Sequence, residues 1–254
     1  MRYFIELSYN GKHYHGWQRQ PNAISVQETL EDGLSVLLKT SITIYGAGRT
    51  DAGVHAKQMF AHFDINVFIN METLVLKLNS FLPKDIGIQS MRQVNSDVHA
   101  RFNATSREYH YVISLKKDVF NYGCSYYFKK NLNIQKMNEV AGILCQYKNF
   151  KCFSRSNTDV KTYNCDIMRA KWFLDANSQL VFIIQADRFL RNMVRAIVGT
   201  MIDVGLGITS IERFHEILKS KDRREAGASA PAHGLFLSRI IYDNTIFLVN
   251  GESK

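Results

Sequence analysis

The chain has 254 residues, of which 46% are hydrophobic and 22% are charged. These values are ordinary for a folded globular protein of one large or two small domains, and they exclude a disordered chain. No apolar run approaches the roughly 18 residues of a membrane span, and the N-terminus lacks the apolar core of a signal peptide, so we expect a cytoplasmic protein. The net charge of +9 indicates an anionic partner.

The first hundred residues predict the order strand, helix, strand, strand, helix, strand. Arg2–Tyr9 alternates like a half-buried strand. Ser25 and Glu28 have the spacing of a capping box, which opens a helix that runs to about Lys39. The other predicted elements are strands near 42–45, 57–65 and 86–94 and a helix near 72–82. This order is that of the ferredoxin-like motif.

The loop Gly46–Ala56 places three glycines around one carboxylate, Asp51. Glycine reaches backbone angles that other residues avoid and leaves room for a ligand, so such a loop is suited to hold one polar group on a tight turn. The alternative is an ordinary turn with a surface ion pair between Arg49 and Asp51. Because the loop fits neither phosphate-binding glycine pattern, we expect its acid to act on carbon or on a proton.

Basic residues alternate with aromatic residues in two stretches, Tyr9–Gln20 and Arg101–Tyr111. Arginine and lysine pair with phosphates, and flat rings stack on unpaired bases. The pattern favours a nucleic acid partner over the alternative that these rings only cap the core.

The second half predicts a similar order of elements. They are strands near 106–115, 161–174, 179–186 and 235–242 and helices near 134–146, 189–204 and 210–219. We therefore expect the α+β class, with two ferredoxin-like halves, 1–104 and 105–254, whose antiparallel sheets meet at a central RNA-binding cleft. The first half carries the Asp51 loop, and the second carries a tyrosine-rich strand and an arginine-rich helix.

The helix predicted at 189–204 has an apolar face and a basic flank. Arg188, Arg191 and Arg195 share this flank, since residues three or four apart are neighbours on a helix. The flank is either a solvated surface or the source of one arginine that reaches into the cleft. Its buried face consists of Leu190, Met193, Val194, Ile197 and Met201.

Six segments, in order along nearly the whole chain, resemble the tRNA pseudouridine synthase A family. They are Tyr14–Gln20, Gly48–His55, His99–Phe102, Arg107–Tyr111, Asn192–Arg195 with Val198–Thr200, and Ala230–Leu235. The resemblance implies an isomerase that converts uridine to pseudouridine at tRNA positions 38–40, in the anticodon stem-loop. It also implies a homodimer with one RNA across both subunits, and neither cofactor nor metal.

The reaction breaks the bond from ribose C1′ to uracil N1 and joins C1′ to C5. The resemblance makes Asp51 the nucleophile, as in a retaining glycosidase, although the same carboxylate could take the 2′ proton and form a glycal. Arg195 is the implied ion-pair partner of Asp51. A charge pair about 4 Å apart interacts by about 4 kcal/mol at an effective dielectric near 20, which offsets desolvation. Arg49 has a secondary role, in base flipping or in a phosphate contact.

The other implied site residues bind the RNA. Tyr109 stacks on the target base, which leaves its own stack at a cost of a few kcal/mol, while Tyr111 is expected in the core. Arg19, Arg101 and the run Lys219–Arg224 are candidate phosphate contacts.

Two other classes compete with the isomerase. An RNA-binding module without chemistry has no use for an acid in a basic cleft, and a nuclease would want a histidine pair or clustered carboxylates for a metal. The histidines and cysteines lack the spacing of a metal site. The histidines are His13, His15, His55 and His62, and the cysteines are Cys124, Cys145, Cys152 and Cys165. We expect the four cysteines to be reduced, buried and inert.

Overall fold

The computed structural model describes residues 1–156 and 160–247. These residues contain nine strands and five α helices, with antiparallel pairing predominant, so the predicted α+β class is confirmed. The chain forms two compact units, one made of Met1–Thr105 and 237–247 and the other of Ser106–Phe236. No helix in the described ranges combines the length and apolarity that a membrane span needs.

The first unit is a sheet with two helices. The strand β1 lies between β4 and β3 and is antiparallel to both, and the short β2 pairs with β3. The elements are β1 (Arg2–Tyr9), α1 (Val26–Leu38), β2 (Tyr45–Gly46), β3 (His55–Asp64), α2 (Met71–Phe81) and β4 (Ile86–Val94).

The second unit has three antiparallel strands in the order β5-β8-β7, with the short β6 parallel to β5. Eleven of the thirteen residues of its helix α4 are buried, so α4 is the central helix of this core. The elements are β5 (Ala104–Ser114), β6 (Tyr126–Tyr127), α3 (Ile134–Leu144), β7 (Ile167–Leu174), β8 (Leu180–Ala186), α4 (Met193–Gly205) and α5 (Ile211–Ser220).

The last strand, β9 (Leu235–Tyr242), returns to the first unit. There the Ile240 amide donates to the side-chain oxygen of Gln58 at 2.9 Å, and the Tyr242 hydroxyl donates to the Ala100 carbonyl at 2.6 Å. The predicted halves, 1–104 and 105–254, differ from the compact units in leaving this strand with the second half. Residues 248–254 of that half lie outside the described residues, and the ferredoxin-like form of the halves and their cleft stay predictions.

Local sequence signals account for most element boundaries. The strands predicted at 2–9, 86–94 and 235–242 have those bounds in the structure. The Ser25 hydroxyl accepts from the Glu28 amide at 3.2 Å and caps α1, as predicted. The strand predicted at 42–45 has the wrong bounds, since β2 is Tyr45–Gly46. The amides of Ile42 and Ile44 donate instead to the side chains of Ser35 and Glu31 on α1.

Candidate active site

Asp51 lies on the segment that joins β2 to β3 in the first unit. Burial alternates along this segment: Arg49 is exposed, Thr50 is buried and Asp51 is half-buried. The Thr50 hydroxyl is 2.9 Å from the hydroxyl of Tyr9 in a buried hydrogen bond. In an extended chain, side chains two apart lie on the same side, so the expectation that Arg49 and Asp51 share a face stays a prediction.

The segment from Tyr14 to Trp17, which we call the brace, holds the Asp51 loop on both sides of the acid. The Trp17 amide donates to the Thr50 carbonyl at 3.3 Å, and the Gly53 amide donates to the Tyr14 carbonyl at 3.2 Å. Because these bonds lie just before and just after Asp51, the backbone that carries the carboxylate is fixed without using its side chain.

The brace is itself anchored to the start of α1. The carbonyls of Gly16 and Trp17 accept from the amides of Val26 and Gln27 at 3.2 and 3.0 Å. These amides belong to the first turn of the helix, where no intrahelical partner exists. Gly16 has a φ of +92°, and a Cβ at this position would lie 2.3 Å from the Thr50 carbonyl oxygen, so only glycine fits between helix and loop.

The rings of Tyr9, Tyr14 and Trp17 are core residues. They are only 4%, 6% and 1% exposed, so the expectation that rings of Tyr9–Gln20 stack on bases is wrong for all three. The Tyr14 hydroxyl donates to Asp85 at 2.6 Å, and burial together with this bond raises the pKa of Tyr14. The hydroxyl therefore remains a donor that ties the brace to the residue just before β4.

Tyr109 lies on β5 of the second unit, opposite Ile184 of β8, and is half-buried. Its ring meets the ring of Phe189 edge to face, with centroids 5.1 Å apart. Tyr111 is fully buried and donates to the Pro231 carbonyl at 2.9 Å, which confirms its predicted place in the core. Phe189 was predicted as a helix residue, but it precedes α4 and its ring contacts Tyr109.

Arg195 lies in the first turn of α4, which begins at Met193 rather than at residue 189. Asn192, the residue just before Met193, has a φ of +65° and separates the helix from the irregular segment that precedes it. Arg188 and Arg191 therefore precede the helix, and the predicted flank of three arginines on one helix is wrong. The five residues of the predicted apolar face are all buried, but Leu190 precedes the helix, so only the other four belong to its buried face.

The segment 226–231, which we call the strap, fixes Arg195. The Arg195 Nε donates to the Ala230 carbonyl at 2.7 Å, and the Ala230 amide donates to the Arg195 carbonyl at 2.9 Å. The strap lies close against α4, because a Cβ on Gly199 would come within 1.7 Å of the Ala228 carbonyl oxygen. The strap thus sets the direction in which the Arg195 side chain leaves the helix.

Arg223 supports the strap from the basic run Lys219–Arg224. Its guanidinium donates to the carbonyls of Ala226 and Gly227 at 3.2 and 3.1 Å and to the Ser229 hydroxyl at 3.0 Å. Arg224 pairs with Asp222 at 2.6 Å. Arg223 therefore has a structural part in this run, which was predicted only as a set of phosphate contacts.

The two other predicted RNA-binding arginines have different surroundings in the first unit. Arg19 lies 3.1 Å from the buried carboxylate of Glu31 and 3.5 Å from Glu28. Arg101 is exposed, and its guanidinium lies 5.6 Å from the centroid of the Phe102 ring. The charge of Arg19 is thus balanced by protein carboxylates.

The histidines and cysteines have structural surroundings. The Nδ1 atoms of His55 and His62 accept from the amides of Gly11 and Ala100 at 3.0 and 3.2 Å. Burial raises the pKa of Cys152 to about 12, so this thiol is unreactive at neutral pH. The expectation that all four cysteines are buried is wrong, because Cys145 is exposed. No group of three or more potential metal ligands occurs within the described ranges.

Comparison with known proteins places the chain in a family. A family model described as tRNA pseudouridine synthase matches residues 7–103 and 147–243. The tRNA pseudouridine synthase A of Porphyromonas gingivalis is 50% identical over 250 residues, which cover 97% of this chain and 99% of that protein. The enzyme of the same name from Bacillus subtilis is 38% identical, over 96% of this chain and all of that protein. The chain therefore belongs to the tRNA pseudouridine synthase family and is an isomerase.

Proposed function

We propose that this isomerase converts uridine to pseudouridine at positions 38–40 of the tRNA anticodon stem-loop, with Asp51 as its nucleophile. Family membership supports the modification of tRNA uridines and disfavours a binding module without chemistry. The observation that carries the assignment of Asp51 is its loop: one half-buried carboxylate, held on both sides by backbone bonds to the brace. Such fixed positioning of a reacting group lowers the barrier of a chemical step.

The carboxylate serves the step in which the glycosidic bond breaks. As the C1′–N1 bond breaks, its electron pair leaves with the uracil, and the Asp51 carboxylate bonds to C1′ or stabilises its positive charge. The uracil turns, C5 bonds to C1′ as the Asp51 bond breaks, C5 loses its proton to solvent, and N1 takes up a proton from solvent. Reactant and product are isomers, so no water is consumed and no second acid is needed.

A second route uses the same carboxylate as a base. Asp51 then takes the proton from C2′, and a glycal forms as uracil leaves. The turned uracil bonds to C1′ through C5 as C2′ takes the proton back from Asp51, and C5 loses a proton while N1 gains one, as in the first route. A substrate deuterated at C2′ separates the routes, because only the glycal route breaks the bond to that hydrogen and shows a primary isotope effect.

Arg195 and Arg49 supply positive charge to the reaction in this proposal. The Arg195 guanidinium balances the charge of Asp51 and keeps it ionised, because a nearby cation favours the charged form of a carboxylate. The strap supports this role, since its Ala230 carbonyl accepts from the Arg195 Nε and fixes where the side chain leaves the helix. Arg49 is exposed and lies two residues before Asp51, which suits contact with the displaced base or its phosphate.

Tyr109 stacks on the uracil once this base has left the RNA stack. The edge-to-face contact with Phe189 holds the ring at a fixed angle while leaving Tyr109 half-buried. Stacking on an aromatic ring is worth about 1–3 kcal/mol per base, comparable with the cost of a few kcal/mol for base flipping.

The remaining contacts concern the RNA backbone and the assembly. We propose phosphate contacts for Arg101 and Arg19, with the smaller effect at Arg19 because Glu28 and Glu31 already balance its charge. We further propose a cytoplasmic homodimer that binds one tRNA across both subunits and works without a cofactor. Sedimentation with and without tRNA tests the dimer.

The decisive experiment measures tritium release from tRNA labelled at uracil C5. Asp51→Asn and Asp51→Ala are expected to lower release at least about 10³-fold, while the tRNA dissociation constant stays within a few-fold. Asp32→Asn is the matched control, because Asp32 is an exposed carboxylate on α1. Wild-type turnover by Asp51→Ala would refute the assignment.

The position of modification is tested separately. Substrate tRNAs with uridine at only one of positions 38, 39 or 40 are each expected to release tritium. A tRNA with uridine only outside the anticodon stem-loop is expected to release none. Release from the last substrate would contradict the proposed target without affecting Asp51.

A further inference from the structure

Three aromatic rings of the first unit stack across neighbouring strands. Phe4 of β1 lies opposite His62 of β3, and His62 lies opposite Tyr45 of β2. The ring centroids are 5.9 and 5.2 Å apart, with interplanar angles of 27° and 24°. Phe4 and His62 are buried, whereas Tyr45 is 54% exposed. The stack therefore begins in the core and ends in a ring at the surface.

Two further rings extend this surface sideways. The His99 ring lies 4.5 Å from that of His62, and the Phe102 ring lies 4.4 Å from that of His99. Phe102 is 74% exposed, and the guanidinium of Arg101 lies 5.6 Å from its centroid. We call Tyr45, His99, Arg101 and Phe102 the aromatic patch.

The histidines of this region act as neutral rings at neutral pH. Burial lowers the pKa of His62 to about 4, and burial with the charges of Arg2 and Arg101 lowers that of His99. Arg2 pairs with Asp64 at 2.7 Å. The patch therefore presents uncharged rings together with the cation of Arg101. The exposed Asp97 is a nearby carboxylate, whose charge raises the pKa of Arg2.

Exposed aromatic rings beside an arginine match the chemistry of unpaired RNA. Bases stack on flat rings and on guanidinium planes, and arginine pairs with phosphate. Single exposed apolar residues are ordinary on a protein surface, but here two exposed rings flank one histidine. The underlying stack also fixes the position of Tyr45, so little conformational entropy is lost when a base binds.

We propose that the aromatic patch is a separate tRNA contact, in which Tyr45 and Phe102 stack on unpaired nucleotides and Arg101 binds the adjoining phosphate. The proposal rests on the proposed function only in taking tRNA as the substrate. It adds stacking roles for Tyr45 and Phe102, neither of which belongs to the predicted site. The cation of Arg101 beside two exposed rings, in a chain of net charge +9, favours RNA over a protein partner for this surface.

The test measures tRNA affinity after each ring is removed. Tyr45→Ala and Phe102→Ala are each expected to raise the tRNA dissociation constant and the KM roughly tenfold, with kcat within twofold of wild type. Tyr45→Phe keeps the ring and is expected to keep wild-type affinity. Phe68→Ala is the matched control, because Phe68 is 77% exposed in the same unit and lies outside the patch.

The salt dependence of binding tests the arginine. Arg101→Ala is expected to lower the slope of log affinity against log salt by about 1, as for one lost phosphate contact. An unchanged slope would remove Arg101 from the proposal. Circular dichroism and the melting temperature of each variant show that it is folded before its affinity is compared.

Two outcomes overturn the patch itself. One is that the double variant Tyr45→Ala with Phe102→Ala has the same tRNA dissociation constant as the Phe68→Ala control. The other is loss of self-association in the same variant without tRNA, which would assign the patch to a second copy of this chain. Either outcome leaves the tritium assay of Asp51 untouched, and full release by Asp51→Ala would leave the patch untouched.

Discussion

Asp51 sits on a loop and Arg195 on a helix, and the two positions are fixed by different means. The loop is held by backbone bonds to the brace, whose Gly16 has a φ of +92°. The backbone of α4 is held by hydrogen bonds within the helix, and the strap packs against it. Gly199, where the strap passes, belongs to the helix and provides space alone.

The two elements differ in the conformational and steric requirements that they place on the glycine at the contact. A loop has no internal hydrogen-bond ladder, so its partner must adopt an unusual backbone conformation and also approach closely. A helix has its own ladder of backbone hydrogen bonds, so its glycine only has to leave space for the neighbouring segment. Replacing Gly16 therefore has a conformational and a steric cost, whereas replacing Gly199 has a steric cost alone.

The largest effect is expected from Gly16→Ala. Positive φ costs a residue with a Cβ roughly 1–2 kcal/mol, and forcing this Cβ against the Thr50 carbonyl costs about another 1–3 kcal/mol. We expect a loss of about 3 kcal/mol in the free energy of unfolding, measured with urea, and a lower kcat because Thr50 adjoins Asp51. Gly48→Ala is the control, since a Cβ there would meet nothing within 4 Å. Equal effects of both variants would contradict the role of the brace.

Gly199→Ala isolates the steric cost at α4. Its Cβ would lie 1.7 Å from the Ala228 carbonyl oxygen, so helix and strap must separate, at about 2 kcal/mol of unfolding free energy. Because the strap holds Arg195, turnover is expected to fall more than tRNA affinity. Gly142→Ala, on the exposed side of α3 with open space around it, is expected to stabilise by up to about 1 kcal/mol. A destabilisation as large in Gly142→Ala would show that the strap is not the cause.

Acid is expected to weaken the first unit through His62, which lies opposite Tyr45. Burial lowers the pKa of His62 from 6.5 to about 4 in the folded chain, so between these values the unfolded chain binds more protons. The contribution of the neutral, buried His62 to the free energy of unfolding is therefore complete above about pH 6.5, and it is lost as the pH falls toward 4. From pH 7 to pH 5 the loss is about 2 kcal/mol, measured by urea unfolding. His62→Gln should flatten the profile in this window, and an unchanged profile would exclude His62 as its source.

The smallest effect is expected from Ser25→Ala. The hydroxyl of Ser25 caps the start of α1, and losing such a cap costs about 1 kcal/mol. Because the first turn of α1 also anchors the brace, kcat should fall slightly and the urea midpoint should shift. Ser25→Asn, which retains a capping oxygen, is expected to restore both values, and failure of this rescue would point to packing rather than to the cap.

Regular elements with a local signal could be predicted from the sequence. The alternation in Arg2–Tyr9 and the cap at Ser25 depend on neighbours along the chain, so these elements begin where the pattern places them. The glycine loop likewise made Asp51 a candidate, because a cluster of glycines around one acid is itself a local signal; its role as nucleophile stays a prediction. The resemblance of six segments then led to the family that the comparisons show.

Features that depend on distant partners could not be predicted in this way. The amides of Ile42 and Ile44 prefer side chains of α1 to a neighbouring strand, and the rings of Tyr14 and Trp17 face the core although their sequence context resembles an RNA-binding surface. The sequence alone determined which residue types stand at the site and which elements repeat periodically. Only the tertiary structure decided which rings are buried, where α4 begins and how the brace and the strap hold their segments, because burial and backbone pairing are set by residues far apart in the chain.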